Sequence, residues 1–461
     1  MPINSFDNYP MSWKPNIKNI NTPIYIALAD LLEKDIKTGK LAAGTKLPPQ
    51  RELADFLDIN LSTITRAFKL CEQKGLISGS IGKGTFVSSD VAYNPVLIDD
   101  IYNYSLIEMG AIFPSTEPNK IVADCLKSMT EEPNFYKLFQ YGLQEKGISQ
   151  KEVAASWIKK ANYIVNPSNI VFAGGGQNAI MATFASLFKP GDNIGTAYTT
   201  YLGMKAAAKF NGIQLVPIEQ KGNEISEEGL IYACKNKNLK GLFIVPDLHN
   251  PTTHTIPIKT REMIACIAKK YNLIIIEDAV NSLLYENPLP PVASFAPENT
   301  IYISSLSKVV SPGLRVSFIV ANEKYIKKLN SILYSMNIAI TPLLAELATR
   351  LINSGQASTI ANKRREYNIA HNNHINKVLK NFNVLGDLES IFRWIILPNN
   401  ITGKEFESLA KKSGVQVYAS ERFTVATSHY DNAIRVAISS TKTEEEFNKG
   451  LNIIKNLLEK L

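Results

Sequence analysis

The chain has little that would mark a secreted, metal-bound or membrane-spanning protein. Only four cysteines occur in 461 residues, Cys71, Cys125, Cys234 and Cys266. They are widely scattered in apolar or helical patterns, so neither a disulfide framework nor a zinc site is suggested, and reduced core thiols are expected. Histidines number five; His371 and His374, three apart on an expected helix, lack acidic or cysteine neighbours and read as a solvated helix face. No apolar run reaches membrane-spanning length, and the start lacks a basic-then-apolar layout, so a cytoplasmic protein is expected. Internal repeats and low-complexity tracts are also missing.

What remains is an ordinary globular composition, 45% hydrophobic and 20% charged, long enough for two or three domains. A net charge of +8 permits an anionic partner without establishing one. Residues 1–90 carry eleven Lys and Arg against nine Asp and Glu, so DNA binding there must be argued from a motif.

Residues 24–36 have helical apolar spacing and stop before Gly39. After an extended connection at residues 44–49, a second helix is expected near residues 50–57, a turn at Asp58-Ile59-Asn60, and a third helix over residues 62–74. Ile64, Ala67, Phe68 and Cys71 fall on its apolar face. The opposite face begins with Ser62, Thr63, Thr65 and Arg66, donors suited to phosphates or base edges in a major groove. Lys83 lies between two strand-like pieces, at the tip of an expected wing. A small helical subdomain with some other partner, or none, would show the same helices.

Leu47-Pro48-Pro49-x-Arg51-Glu52-Leu53-Ala54, Asn60-x-Ser62-Thr63-x-Thr65-Arg66-Ala67 and Gly82-x-Gly84-Thr85-Phe86-Val87 resemble the winged helix-turn-helix of GntR transcription regulators. The resemblance implies that Arg51, Ser62, Thr63, Thr65 and Arg66 meet double-stranded DNA, with Lys83 at the wing. Residues 1–88 are assigned to this domain and 89–105 to a linker, whose Val96-Leu97-Ile98 also allows an arm packed on the next domain.

From residue 106 onward, helical stretches alternate with short β-branched runs, the pattern of an α/β domain with a mostly parallel sheet. Sites in such sheets gather where strands end. Gly174-Gly175-Gly176-Gln177 comes after a strand and opens a helix, a place for phosphate. Asn250-Pro251 comes after another strand, and Glu277-Asp278 ends a third, where alternation sends one acid to each face. In Ser304-Ser305-Leu306-Ser307-Lys308, a lysine between serines precedes Pro312-Gly313 and Arg315. That lysine could form an aldimine with pyridoxal phosphate while its neighbours hold the phosphate. Taken singly, each of these segments is also what a solvated loop or a tight turn looks like.

Together, their order resembles fold-type I aminotransferases. The resemblance implies that Lys308 forms the aldimine with pyridoxal 5'-phosphate (PLP), and that Gly176, Gln177, Ser305, Ser307 and Arg315 bind its phosphate. It further implies that Tyr201 stacks on the ring, Asn250 bonds the ring hydroxyl, Asp278 pairs with the ring nitrogen, and Tyr141 reaches a partner subunit's phosphate. Arg435, in Ala433-Ile434-Arg435-Val436-Ala437, matches the arginine that holds a ligand carboxylate; an ordinary arginine on an edge strand is the other reading.

The chain departs from that family at Val280 and Asn281, where a tyrosine is usual, at Glu389-Ser390, where glycines are, and at Thr253. These departures place full turnover in question. A winged helix joined to such a domain is similar to the MocR subfamily of GntR regulators. That implies a homodimeric, PLP-dependent transcription regulator sensing an amino compound or a B6 vitamer. The competing expectation is an active aminotransferase with a DNA-binding appendage.

Overall fold

The computed structural model describes residues 11–17, 22–38, 40–41, 44–74, 76–80, 84–87, 106–141, 148–426 and 431–461. The chain forms two compact units, Met1–Ile98 with Thr424–His429, and Asp99–Phe423 with Tyr430–Leu461. The expected linker, residues 89–105, lies outside the described residues, as does Lys83.

In the first unit, α1 (Ile24–Lys37), α2 (Gln50–Leu57) and α3 (Leu61–Gln73) precede two antiparallel strands, β1 (Ile77–Ser80) and β2 (Gly84–Val87). Asp58 closes α2 in the left-handed region at φ 51°, a conformation that short polar side chains tolerate. Two residues later the Asn60 side chain accepts from the Ser62 amide at 2.9 Å and caps α3. The turn between the helices is therefore fixed by local chemistry. Ile64, Ala67, Phe68 and Cys71 are all buried, as their spacing predicts, against Leu28, Leu32 and Leu53.

The second unit is built on a seven-stranded sheet. Its order is Ile170–Ala173, Ser317–Val320, Thr300–Ser305, Ile274–Asp278, Leu239–Ile244, Asn193–Thr196 and Gln214–Pro217. Only Ser317–Val320 runs against the others. Apolar clusters pack on both faces of this sheet, one around Phe184 and Ile303 on one face, and those around Trp157 and Tyr302 and around Leu242 and Ile275 on the other. Neighbouring residues of a strand thus enter different cores, as alternation requires.

A second, antiparallel sheet has the order Val384–Leu385, Phe392–Ile396, Ala433–Ala437 and Tyr418–Ala419. The helices Gly403–Lys412 and Glu444–Leu458 bury Phe406, Phe447 and Leu451 against Ile395, Ile434 and Val436. Arg435 therefore points to the opposite face. Its strand is central, not at an edge, and the side chain is buried, which removes the surface-arginine reading.

Two further expectations change. His371 is buried, stacked on Tyr367 with ring centroids 3.7 Å apart and bonded to Glu444 at 3.1 Å; only His374 is exposed. The Gln356–Val378 helix buries polar side chains, including Arg364, Asn368 and Asn372, because they bond carbonyls of adjoining loops. Cys266 is exposed, whereas Cys71 and Cys125 are buried as expected. Among the described residues no cluster could hold a metal ion, and no helix is long and apolar enough to cross a membrane.

Candidate functional site

Lys308 sits in a single helical turn, Leu306–Val309, that leaves the end of strand Thr300–Ser305. The Ser305 hydroxyl caps this turn, accepting from the Ser307 amide at 3.2 Å. Ser307 in turn accepts from Arg315, 3.3 Å away. Arg315 stands at φ 48° after the Pro312–Leu314 turn, and its guanidinium also reaches the Gly174 carbonyl at 3.5 Å.

Gly175, at φ 95°, precedes the helix Gly176–Leu187, and any side chain there would collide with the Arg315 guanidinium. A β-carbon at Gly176 would sit 4.0 Å from that of Ser305. One concavity thus gathers the amides of a helix N-terminus, two hydroxyls and an arginine, a donor set suited to a phosphate dianion. Gln177 contributes its backbone here; its side chain turns away and donates to the Gly203 carbonyl at 2.8 Å.

Strand Ile274–Asp278 ends in two buried acids with different environments. Glu277 accepts from the amides of Val292 and Ala293 at 2.7 and 2.8 Å, so its place is structural. Asp278, on the other face, is 3% exposed, and its Oδ1 has no hydrogen-bond partner. Burial pushes its carboxyl up to about 7, although the Val280 amide and the charge of Lys308 oppose that. An orphaned, buried carboxylate oxygen calls for a cationic donor. A protonated pyridine nitrogen fits that requirement.

The Lys308 ammonium donates to the Ile112 carbonyl at 2.7 Å. Burial, then the charges of Arg435 and Arg315, lower it to about 8, against the pull of Asp278. An amine at that value is still mostly protonated near physiological pH, but far more of it is neutral and nucleophilic than for an ordinary lysine. Tyr201, largely buried, has its hydroxyl pushed up to about 12 by desolvation and by Asp278, and stays a neutral donor.

Arg435 is held by acceptors on both arms of its guanidinium, the Asn250 side-chain oxygen at 2.6 Å and the Gly110 carbonyl at 2.5 Å. Phe423, Tyr418 and Phe392 place their rings 4.8, 5.2 and 5.6 Å from its centre. Its Nε is buried without a partner, and desolvation lowers the group to about 10.

The structure thus brings together Lys308, Gly176, Gln177, Tyr201, Asn250, Asp278, Ser305, Ser307, Arg315 and Arg435. Tyr141 is 82% exposed and takes no part in these bonds. Asn281, in the position where a tyrosine was looked for, donates to the Leu248 carbonyl at 3.0 Å, and Val280 packs beside Gly176. Gly110 and Ile112 were not foreseen, because a backbone carbonyl leaves no mark in a sequence.

On the first unit, Arg51, Ser62, Thr65 and Arg66 are exposed and Thr63 is half-buried. The Thr65 hydroxyl lies 2.8 Å from the Gln50 side chain, and the Arg66 guanidinium stacks 4.1 Å from the Tyr25 ring. These contacts orient the polar end of α3 outward.

Residues 24–87 match the family described as bacterial regulatory proteins, gntR family, and residues 108–454 match aminotransferase class I and II. The chain belongs to the MocR-like subfamily of GntR regulators. It is 49% identical over 461 residues, all of both chains, to the HTH-type transcriptional regulator YdeF of Bacillus subtilis (strain 168). Kynurenine aminotransferase of Pyrococcus horikoshii, solved with PMP and kynurenine, superposes with a TM-score of 0.71 at 21% identity. That match covers 79% of this MocR-like chain and 93% of the enzyme. LysN, the α-aminoadipate aminotransferase of Thermus thermophilus, solved with N-(5'-phosphopyridoxyl)-L-leucine, gives 0.70 at 20% identity over 84% of this chain and 97% of its own. At these identities the structural likeness carries the fold alone, which is that of PLP-dependent aminotransferases.

Proposed function

We propose that this MocR-like protein is a PLP-dependent transcription regulator, acting in the cytoplasm as a homodimer on double-stranded DNA. Its aminotransferase-like domain holds PLP and senses an amino compound or a B6 vitamer. The observation that carries the reading is the orphaned Asp278 oxygen, which shares its site with a lysine of lowered pKa and with the donors of Ser305, Ser307 and Arg315.

Lys308 would hold the cofactor covalently through Nζ. Gly176, Gln177, Ser305, Ser307 and Arg315 would take its phosphate, Asp278 its ring nitrogen, Asn250 its ring hydroxyl and Tyr201 its face. Tyr141, exposed on one protomer, would reach the phosphate held by the other. When bound, PLP supplies a carbon that amines attack and a ring that withdraws electrons. Lys308, with its pKa lowered toward physiological pH, provides the amine and can carry a proton at Nζ. Arg435 would orient an incoming amino acid by its carboxylate, in the planar fork geometry that a guanidinium provides. For DNA, Arg51, Ser62, Thr63, Thr65, Arg66 and Lys83 would make the contacts. Any ligand signal must come from unequal affinity for two arrangements of the protein.

The second reading, an amino acid aminotransferase with an appended DNA-binding domain, is favoured by the same cofactor-binding side chains, and Val280 and Asn281, in place of the usual tyrosine, count against it. The test is absorbance of the purified protein with PLP beside Lys308→Ala, then titration with amines and amino acids. A visible band that is lost in the variant and moves with one ligand, without accumulating keto acid, is expected. Sustained keto acid formation would establish the enzyme instead. No band in either protein would sink the cofactor reading.

A further inference from the structure

Four successive carbonyls after the short strand Ile107–Glu108 are satisfied by side chains and not by a ladder. Gly110 accepts from Arg435 at 2.5 Å, Ala111 from the Ser440 hydroxyl, Ile112 from Lys308 at 2.7 Å and Phe113 from the Ser439 hydroxyl at 2.8 Å. The Phe113 amide also donates to Ser440 at 3.0 Å. On one side, Met109 is fixed in sheet-like bonds to Gln416 and Ala437; on the other, Ser115 accepts from the buried Arg364 at 2.7 Å. Between these anchors the backbone runs across the two cations that the proposed function assigns to ligand and cofactor.

We propose that residues 110–113 form a ligand-displaced strap: the Gly110 carbonyl occupies the Arg435 position that a ligand carboxylate takes, and Ser439 and Ser440 hold the strap in that blocking position. This inference rests on the reading of Arg435 as a carboxylate site. A carboxylate is the stronger acceptor, since it adds an opposite charge and two oxygens that match the guanidinium fork, where the carbonyl offers one neutral oxygen. Once displaced, the Gly110 carbonyl must find another donor or water, because a buried unpaired carbonyl is unfavourable. The backbone therefore moves. Gly110 is suited to the blocking position because a side chain there would run into the Tyr418 ring. The strap follows the strand Ile107–Glu108 near the start of the second unit. Ligand occupancy at Arg435 is in this way converted into motion of the backbone between the Met109 and Ser115 anchors. Ser439 and Ser440 act as positioning residues and touch neither cation.

The test uses the full-length protein and two probes that differ by one carboxymethyl group, N-(5'-phosphopyridoxyl)glycine and pyridoxamine 5'-phosphate. Binding is measured by calorimetry, and amide hydrogen exchange over residues 107–116 by mass spectrometry. Exchange at residues 111–113 should rise with the glycine adduct and not with pyridoxamine phosphate. The double variant Ser439→Ala, Ser440→Ala should bind the adduct about fivefold or more tightly than the parent, with pyridoxamine phosphate affinity unchanged. Tighter adduct binding without the exchange change and without the serine effect would overturn the strap and leave the carboxylate site standing. Equal affinity for the two probes, or no binding of either, would overturn the carboxylate or cofactor reading and the strap with it.

Discussion

Asp278→Asn tests the electrostatic logic of the site, because the substitution should push stability and function in opposite directions. Burial raises the Asp278 carboxyl from 3.8 to about 7, against the Val280 amide and the charge of Lys308. A folded-state pKa above the unfolded one means that the native protein favours the protonated acid. The stabilising contribution is then complete below the unfolded value and is lost as pH rises through the folded one. A rise of about three units at about 1.4 kcal/mol each sets a ceiling of roughly 4 kcal/mol for ionising this group at pH 8. Asparagine removes that cost but leaves a buried amide beside the same unpartnered position, a loss of about 1–3 kcal/mol.

The net expectation for cofactor-free protein is a stabilisation of about 1–3 kcal/mol at pH 8 that disappears by pH 5. Thermal scans of the two proteins from pH 5 to 8 measure it. PLP affinity, monitored by absorbance, should fall in the same variant, since an amide cannot neutralise a pyridinium nitrogen. A variant less stable than the parent by the same amount at both pH values would refute the argument. So would unchanged PLP affinity, since Asp278 would then not face the ring nitrogen.

Two other perturbations are set by the geometry. Arg435→Lys should weaken amino acids that carry a carboxylate by about ten- to a hundredfold, the scale of a lost charge-assisted bidentate bond. Amines without a carboxylate should bind the variant and the parent alike, which ligand titration of the PLP band would show. Arg66→Ala should lower DNA affinity about equally across sequences if Arg66 contacts phosphate, and reduce the salt-dependence slope by about one. Fluorescence anisotropy over a salt series measures both, and an unchanged slope would remove Arg66 from the phosphate contacts.

The large sheet was legible because its strands are short β-branched runs bounded by turn residues. Thr300–Ser305 and Ser317–Val320 are runs of this kind, and both are strands of the sheet. The second sheet was legible only at Ala433–Ala437. Val384–Leu385 and Tyr418–Ala419, at two residues each, are too short to carry a period. The same alternation that put Ile434 and Val436 in a core placed Arg435 on the other face, so its direction could be inferred but not the rings around it. His371 misled for a related reason. Its helix buries polar side chains against loop carbonyls, and a hydrophobic period cannot register burial that hydrogen bonds make tolerable. The candidate site was legible from residue types after strand ends, whereas the contacts of Gly110 and Ile112 depend on backbone groups every residue has.

The charges of the site argue for the kind of ligand it takes. Arg315 and Arg435 lie close enough to act on Lys308, and the acid that offsets them there is Asp278, itself raised to about 7. Three cations around a half-ionised carboxyl repel, and the lowered pKa of Lys308 reports that repulsion together with its burial. A neutral amine would leave this excess in place. A phosphate dianion in the Arg315 cradle together with a carboxylate at Arg435 would cancel it, each in a place where donors already converge. On the proposed function, the winged helix would read an anionic polymer through surface contacts that salt screens, whereas the buried site would be matched to a compact trianion and should be far less salt-sensitive. The two halves of the chain would then apply the same attraction in different dielectric settings, one suited to searching along DNA and the other to discriminating among small molecules.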